Sequence, residues 1–171
     1  LRYDGEPVPP ILAIEIERKG GIEETRTIFC GSFSKTLSPG LRVGWVCAAT
    51  PVISRLVLMK QAADLHSSTI NQMAIATVAE DGFDAQVEKI RATYSARRDW
   101  MLEALQAHMP KGVYWSKPEG GMFIWLTLPD TIDVSELLAK SLKTERVAFV
   151  PGTAFFADGS GANTMRLSFS C

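Results

Sequence analysis

Residues 31–45 read GSFSKTLSPGLRVGW. Two serines, Ser32 and Ser34, flank Phe33. Lys35 follows directly, Pro39-Gly40 gives a turn signal, and Arg42 comes just after it. Apolar runs border the stretch, Thr27-Ile28-Phe29-Cys30 before it and Val43 to Ala49 after it. Both are rich in apolar residues without polar alternation, the pattern of strands in a sheet covered on both faces. The reading therefore predicts buried strands over 26–30 and 41–49. Between them lies a polar turn that carries an amine, several hydroxyls and a guanidinium.

Lys35 admits several kinds of chemistry. Lys35-Thr36 resembles the end of the phosphate-binding pattern G-x-x-x-x-G-K-[ST], but Ser34 stands where that pattern needs glycine, and Gly31 is too near. Ser32-Phe33-Ser34-Lys35 fits the S-x-x-K of acyl-enzyme serines, yet the companion S-D-N and K-T-G patterns do not occur. A third reading is a Schiff-base lysine for pyridoxal phosphate. An aldehyde cofactor needs one amine to hold it and to shuttle protons, and a turn after a buried strand fixes that amine and dries its surroundings. The cofactor's phosphate needs hydroxyl donors and a fixed cation. Ser32 and Ser34 can supply the first, and the planar fork of Arg42 the second. On spacing alone, a solvated turn with a surface lysine stands beside this reading.

Outward from this stretch, YDGEPVPP (3–10) reads as a loop and Ile11 to Glu17 as a short helix. Thr50 is a suitable N-cap and Pro51 a suitable first helical residue. That helix runs through Leu56 and Met59 to Ala63, and HSST (66–69) interrupts it. A second helix is expected over 70–80, closed by Gly82. A third is expected over 84–109, with Tyr94, Met101, Leu102 and Leu105 on its apolar face and Glu88, Arg91, Arg97 and Arg98 on a solvated one. Strands are predicted over 113–115, 120–128, 147–150 and 164–169. A short helix over 133–143 is opened by Asp133 and Glu136 as a capping box.

The composition is that of an ordinary globular protein: 46% hydrophobic and 22% charged over 171 residues. A net charge of -1 gives no basic field for nucleic acid, and no apolar stretch approaches a membrane span. Cys30, Cys47 and Cys171 form no C-x-x-C pair and read as reduced core thiols of a cytoplasmic protein. His66 and His108 are isolated, so no metal site is expected. Trp45, Trp100, Trp115 and Trp125 read as packing residues. Both ends look cut from something longer.

The 31–45 stretch resembles the lysine segment of fold-type I, class I/II PLP-dependent aminotransferases. It is most similar to the branch with 2-aminoadipate and kynurenine aminotransferases and the aminotransferase-like domains of MocR-type regulators. The shared pattern is S-F-S-K-T-L-x-P-G-L-R-x-G. RYDGEPVPPIL (2–12), PEGGMFIWL (118–126), VAFVPGTAFFADG (147–159) and NTMRLSFS (163–170) extend the resemblance over essentially the whole chain. It implies an α/β fold in three parts: the end of a large, mostly parallel domain (1–50), connecting helices (51–110) and a truncated small domain (111–171). It implies pyridoxal phosphate as cofactor and amino-group transfer between an amino acid and a 2-oxo acid, of 2-aminoadipate type or broad specificity, in a homodimer. Lys35 would be the Schiff-base lysine and proton carrier. Ser32, Ser34 and Arg42 would bind the phosphate, and Arg166 the substrate α-carboxylate. Phe123 reads equally as a pocket or a core residue. The family's carboxylate on the pyridine nitrogen and its ring-stacking aromatic fall upstream of residue 1, and neither role is carried onto Tyr3 or Asp4. The alternative function is a PLP-binding effector domain of a MocR-type regulator; a PLP lyase or racemase on the same scaffold is another.

Overall fold

The computed structural model describes residues 1–170 of the chain and divides into two compact units. One is Glu6–Ile90. The other joins Leu1–Gly5 to the chain from Arg91 onward.

In the first unit, α1 (Ile11–Lys19) ends at Gly20, whose φ of 84° is the left-handed conformation that a residue without Cβ adopts at no steric cost. Glu15 on α1 accepts the backbone N–H of Arg26 at 3.1 Å and of Thr27 at 2.9 Å, and the Thr27 hydroxyl at 2.6 Å. The helix thereby fastens the approach to β1 (Phe29–Ser32), which pairs antiparallel with β2 (Gly44–Cys47), from Phe29↔Cys47 to Ser32↔Gly44. A Cβ at Gly31 would stand 2.2 Å from the Trp45 indole, so only glycine lets that ring lie across the partner strand. Trp45 also meets the Phe29 ring edge-on, 5.2 Å between centroids.

These strands are shorter than predicted, and their surroundings differ from the expectation. Ile28 is 50% exposed and Trp45 42%. The apolar run marks surface suited to a covering layer, and the described residues leave it at the surface. Cys30 is likewise exposed and Cys47 half-buried, both free thiols rather than core ones; Cys171 lies outside the described residues. Every strand pairing among the described residues is antiparallel, so the parallel character expected of the large domain is not displayed by the two strands found here.

Next, α2 (Thr50–Ala63) begins at Thr50 rather than after it: Ala49 is the N-cap. Thr50 donates its N–H at 3.0 Å and its hydroxyl at 2.6 Å to the Glu23 carboxylate, which serves the helix start from outside. Ser68 caps α3 (Thr69–Asp81), and Gly82 closes it. The 26-residue α4 (Phe83–His108) starts in this unit and ends in the other.

The second unit holds a four-stranded antiparallel sheet of order β3-β4-β6-β5, formed by Tyr114–Trp115, Phe123–Thr127, Thr164–Ser168 and Val150–Pro151. Asp133 caps α5 (Val134–Thr144), accepting the N–H of Ser135 at 2.7 Å and of Glu136 at 3.2 Å, its half of the predicted box. Ile124, Leu126, Val134, Met165 and Phe169 form the core with Leu105 of α4. The strand expected over 147–150 is only Val150–Pro151. The preceding residues run as a connection that starts with Arg146 at φ 57°.

Arg98 departs from its predicted solvated face. It is 7% exposed, with Nη1 2.6 Å from Asp4 and Nη2 2.8 Å from Asp99. Burial works against its charge, but hydrogen bonds to Asp99 and Asp4 outweigh it and hold the guanidinium charged. A helix wheel sees only the α4 sequence, not the loop laid on it. That loop, residues 1–5, is stitched down through Tyr3 N–H to Glu119 O and Gly121 N–H to Leu1 O, both 2.7 Å.

Candidate functional site

The loop between β1 and β2 carries the four residues singled out around Lys35. Ser32 ends β1 in extended conformation. Its Oγ accepts the Ser34 N–H at 3.1 Å and donates to Ser34 Oγ at 3.0 Å. The chain then enters a 3-10 turn, Phe33–Lys35, organised on one carbonyl: Phe33 O accepts the N–H groups of Thr36, Leu37 and Ser38. The Phe33 ring stands edge-on to Phe83 of α4, 6.4 Å between centroids, and its N–H donates to Val43 O at 3.2 Å. That bond brings the end of the loop back beside its beginning.

A second 3-10 turn, Pro39–Leu41, precedes Arg42. Arg42 lies at φ 53°, ψ 38°, a left-handed conformation unusual for a residue with a side chain. Its Nη1 donates to Pro39 O at 3.2 Å, and Leu41 O accepts from Asn71 Nδ2 of α3 at 3.0 Å. Asn71 thus steadies the residue before Arg42, a role with no signal in the sequence because it depends on a contact 30 positions away.

Ser32, Lys35 and Arg42 are exposed and Ser34 is half-buried. The dry setting expected for Lys35 is not provided by this unit. Residues 31–45 contain no Asp or Glu, so the loop offers an amine, hydroxyls and a guanidinium without a competing carboxylate of its own. That donor set fits the aldehyde and phosphate ends of pyridoxal phosphate. It does not address the pyridine nitrogen, and Asp4, of the right type for that role, belongs to the other unit and is engaged by Arg98.

Arg166 belongs to that other unit too. It sits on β6 opposite Trp125 of β4 and Val150 of β5. Ile124 and Leu126 point into the core, so Phe123, Trp125 and Arg166 share the sheet's other face. The Arg166 guanidinium carbon lies 3.9 Å from the Phe123 ring centroid and 4.7 Å from that of Phe155. Phe123 is therefore a surface residue on the Arg166 face, not a core one. Among the described residues no group of His, Cys, Asp and Glu is placed to hold a metal ion, and no helix is long and apolar enough to cross a membrane.

A family model for aminotransferase class I and II matches residues 8–171. The chain is 47% identical to an aromatic-amino-acid aminotransferase of Thermococcus litoralis, over 99% of its own length and 39% of that protein's. It superposes with TM-score 0.90 and 41% identity on the α-aminoadipate aminotransferase LysN of Thermus thermophilus, crystallised with N-(5'-phosphopyridoxyl)-L-leucine, covering 99% of this chain and 42% of that one. It is also 33% identical to the HTH-type transcriptional regulator YdfD of Bacillus subtilis, over 96% of this chain and 33% of the regulator. The chain thus spans about two fifths of the length of the aminotransferases it matches.

Proposed function

The chain belongs to the aminotransferase class I and II family, and on that footing we propose that it is the lysine-bearing, C-terminal part of a PLP-dependent aminotransferase. Amino groups would pass between an amino acid and a 2-oxo acid, of 2-aminoadipate type or with broad specificity. The observation that carries the reading is the acid-free loop, in which two mutually bonded serines lead into Lys35 and a left-handed turn delivers Arg42. Residues 1–50 would close the large domain, 51–110 connect, and 111–171 build the small domain. The same reading places the protein in the cytoplasm as a homodimer.

Each residue has a distinct task. Ser32 and Ser34 hydroxyls and the Arg42 guanidinium would hold the phosphate, a dianion that suits charge-assisted hydrogen bonds. Lys35 Nζ would hold the aldehyde carbon and, when free of it, would be the base that takes the substrate Cα proton. Arg166 would take the substrate α-carboxylate in a planar two-point contact and so orient the Cα–H bond. When bound, pyridoxal phosphate supplies an aldehyde and a conjugated ring that draws electrons from Cα.

The regulator relative supports a second reading, an effector domain that binds the cofactor to sense. One experiment on the full-length protein tests both. After borohydride reduction, peptide mapping should find the pyridoxyl group on Lys35; finding it on Lys60 or on no lysine refutes the assignment. Formation of a 2-oxo acid from an amino donor then separates the transferase from the sensor.

A further inference from the structure

The face of the four-stranded sheet turned away from the core is lined with aromatic rings around a single arginine. Strand register sets this arrangement. Phe123 opposes Ser168, and Trp125 opposes Arg166, so both rings flank the arginine on its own side of the sheet. The 3-10 turn Gly152–Phe155 then brings in a third ring: Phe155 stands edge-on to Trp125 at 5.4 Å and lies 4.7 Å from the Arg166 guanidinium carbon. The turn has little freedom to move away. A Cβ at Gly152 would fall 1.7 Å from the Thr164 hydroxyl oxygen of β6, so the backbone there is seated directly on the strand that carries Arg166.

Arg166 Nε is buried and, among the described residues, has no hydrogen-bond partner. Rings over a guanidinium explain how such a donor is tolerated, because an aromatic face attracts the cation without accepting a conventional hydrogen bond. Rings fix the guanidinium plane, and the nitrogen edge is the part of the fork that a carboxylate reads. A long arginine left free loses rotamer entropy on seating a ligand; one already held by rings has less to lose.

Resting on the assignment of Arg166 to the substrate carboxylate, we propose that Phe155 is a positioning residue for that arginine, delivered by the turn anchored at Gly152. Its ring holds the guanidinium in the plane a carboxylate needs, without itself touching the reacting atoms. Phe155 is 46% exposed, so replacing it leaves the core intact.

The test uses the full-length holoenzyme and reads KM and kcat for an amino donor, the inhibition constant of butyrate, and cofactor retention. Phe155→Leu keeps apolar bulk and removes the π face; it should raise KM and the butyrate inhibition constant together, by about 2- to 30-fold, with kcat and cofactor retention held. Phe155→Tyr, which keeps the ring, should restore both constants. If Arg166→Ala raises KM but Phe155→Leu does not, the positioning role is wrong while the assignment of Arg166 stands. Equal losses in the Leu and Tyr variants would make Phe155 a packing residue and overturn the proposal. If Arg166→Ala moves neither constant, the carboxylate assignment fails, and the role of Phe155 with it.

Discussion

Arg42 couples two quantities that substitution can separate. Its backbone sits in the left-handed region, which costs an L-residue roughly 1–2 kcal/mol and glycine almost nothing. Its side chain, in the proposed function, holds the cofactor phosphate. Arg42→Ala and Arg42→Gly both remove the guanidinium and its 3.2 Å bond to Pro39 O. Only the glycine variant relieves the backbone. Against that relief stands the looser unfolded chain of glycine, about 0.4–1 kcal/mol. Taking the middle of each range, the cofactor-free glycine variant should be more stable than the alanine variant by about 0.8 kcal/mol, read as the difference in urea midpoint multiplied by a common slope. Cofactor affinity should behave otherwise. Loss of one charge-assisted hydrogen bond is worth roughly 1.5–3 kcal/mol, so both variants should bind pyridoxal phosphate about 10- to 150-fold more weakly, and equally so. Two outcomes would refute the reasoning: an alanine variant as stable as the glycine one, or undiminished cofactor affinity in both.

Glu15 and Ile124 test the scaffold. Hydrogen bonds from the Thr27 hydroxyl and the Arg26 and Thr27 N–H groups hold the Glu15 carboxyl below the ordinary glutamate value. A group lowered on folding stabilises above its unfolded pKa, and that contribution fades as pH falls through the folded one; the Tm gap between wild type and Glu15→Gln should thus be full at neutral pH and shrink in acid, and a gap independent of pH would contradict it. Ile124 is fully buried in the core of the second unit, so Ile124→Ala should cost about 2–5 kcal/mol in urea unfolding of the full-length protein, and a loss below about 1 kcal/mol would mean that the core is not packed around it.

Local chemistry made much of the architecture legible. Pro51, Asp133 and Gly82 mark helix boundaries because each acts on backbone groups beside it, and the helices over 50–63, 69–81 and 134–144 lie within a residue or two of their predicted limits. The alternation in β4 was less visible, since Phe123 and Trp125 are as apolar as Ile124 and Leu126; pairing with β6 is what assigns them to opposite faces. Arg98 and Thr50 were misplaced for the same reason. Their partners, Asp4 and Glu23, lie far away in sequence, and periodicity carries no information about which loop returns to a helix. The candidate site divides along the same line. Lys35, Ser32, Ser34 and Arg42 fall in one continuous stretch whose residue types speak for themselves, whereas Asn71 and Phe155 enter only through tertiary contacts.

The stitching of residues 1–5 onto the later chain has a consequence in time. Arg2 pairs with Glu119, 117 positions further on, and Asp4 with Arg98. On a ribosome adding about 5–20 residues per second, the first of these contacts waits roughly 6 to 23 s after its amino-terminal partner is made. During that interval the whole Glu6–Ile90 unit is synthesised, while residues 1–5 wait for the partners they meet here on Arg98 and Glu119. The unit that joins residues 1–5 to the chain from Arg91 onward cannot close in full before Glu119 is made, and it closes around Tyr3, Asp4 and Arg98. A translational pause anywhere between residues 5 and 119 lengthens the time for which residues 1–5 lack these partners, so the order of synthesis as well as the order of residues bears on how reliably this fold is reached.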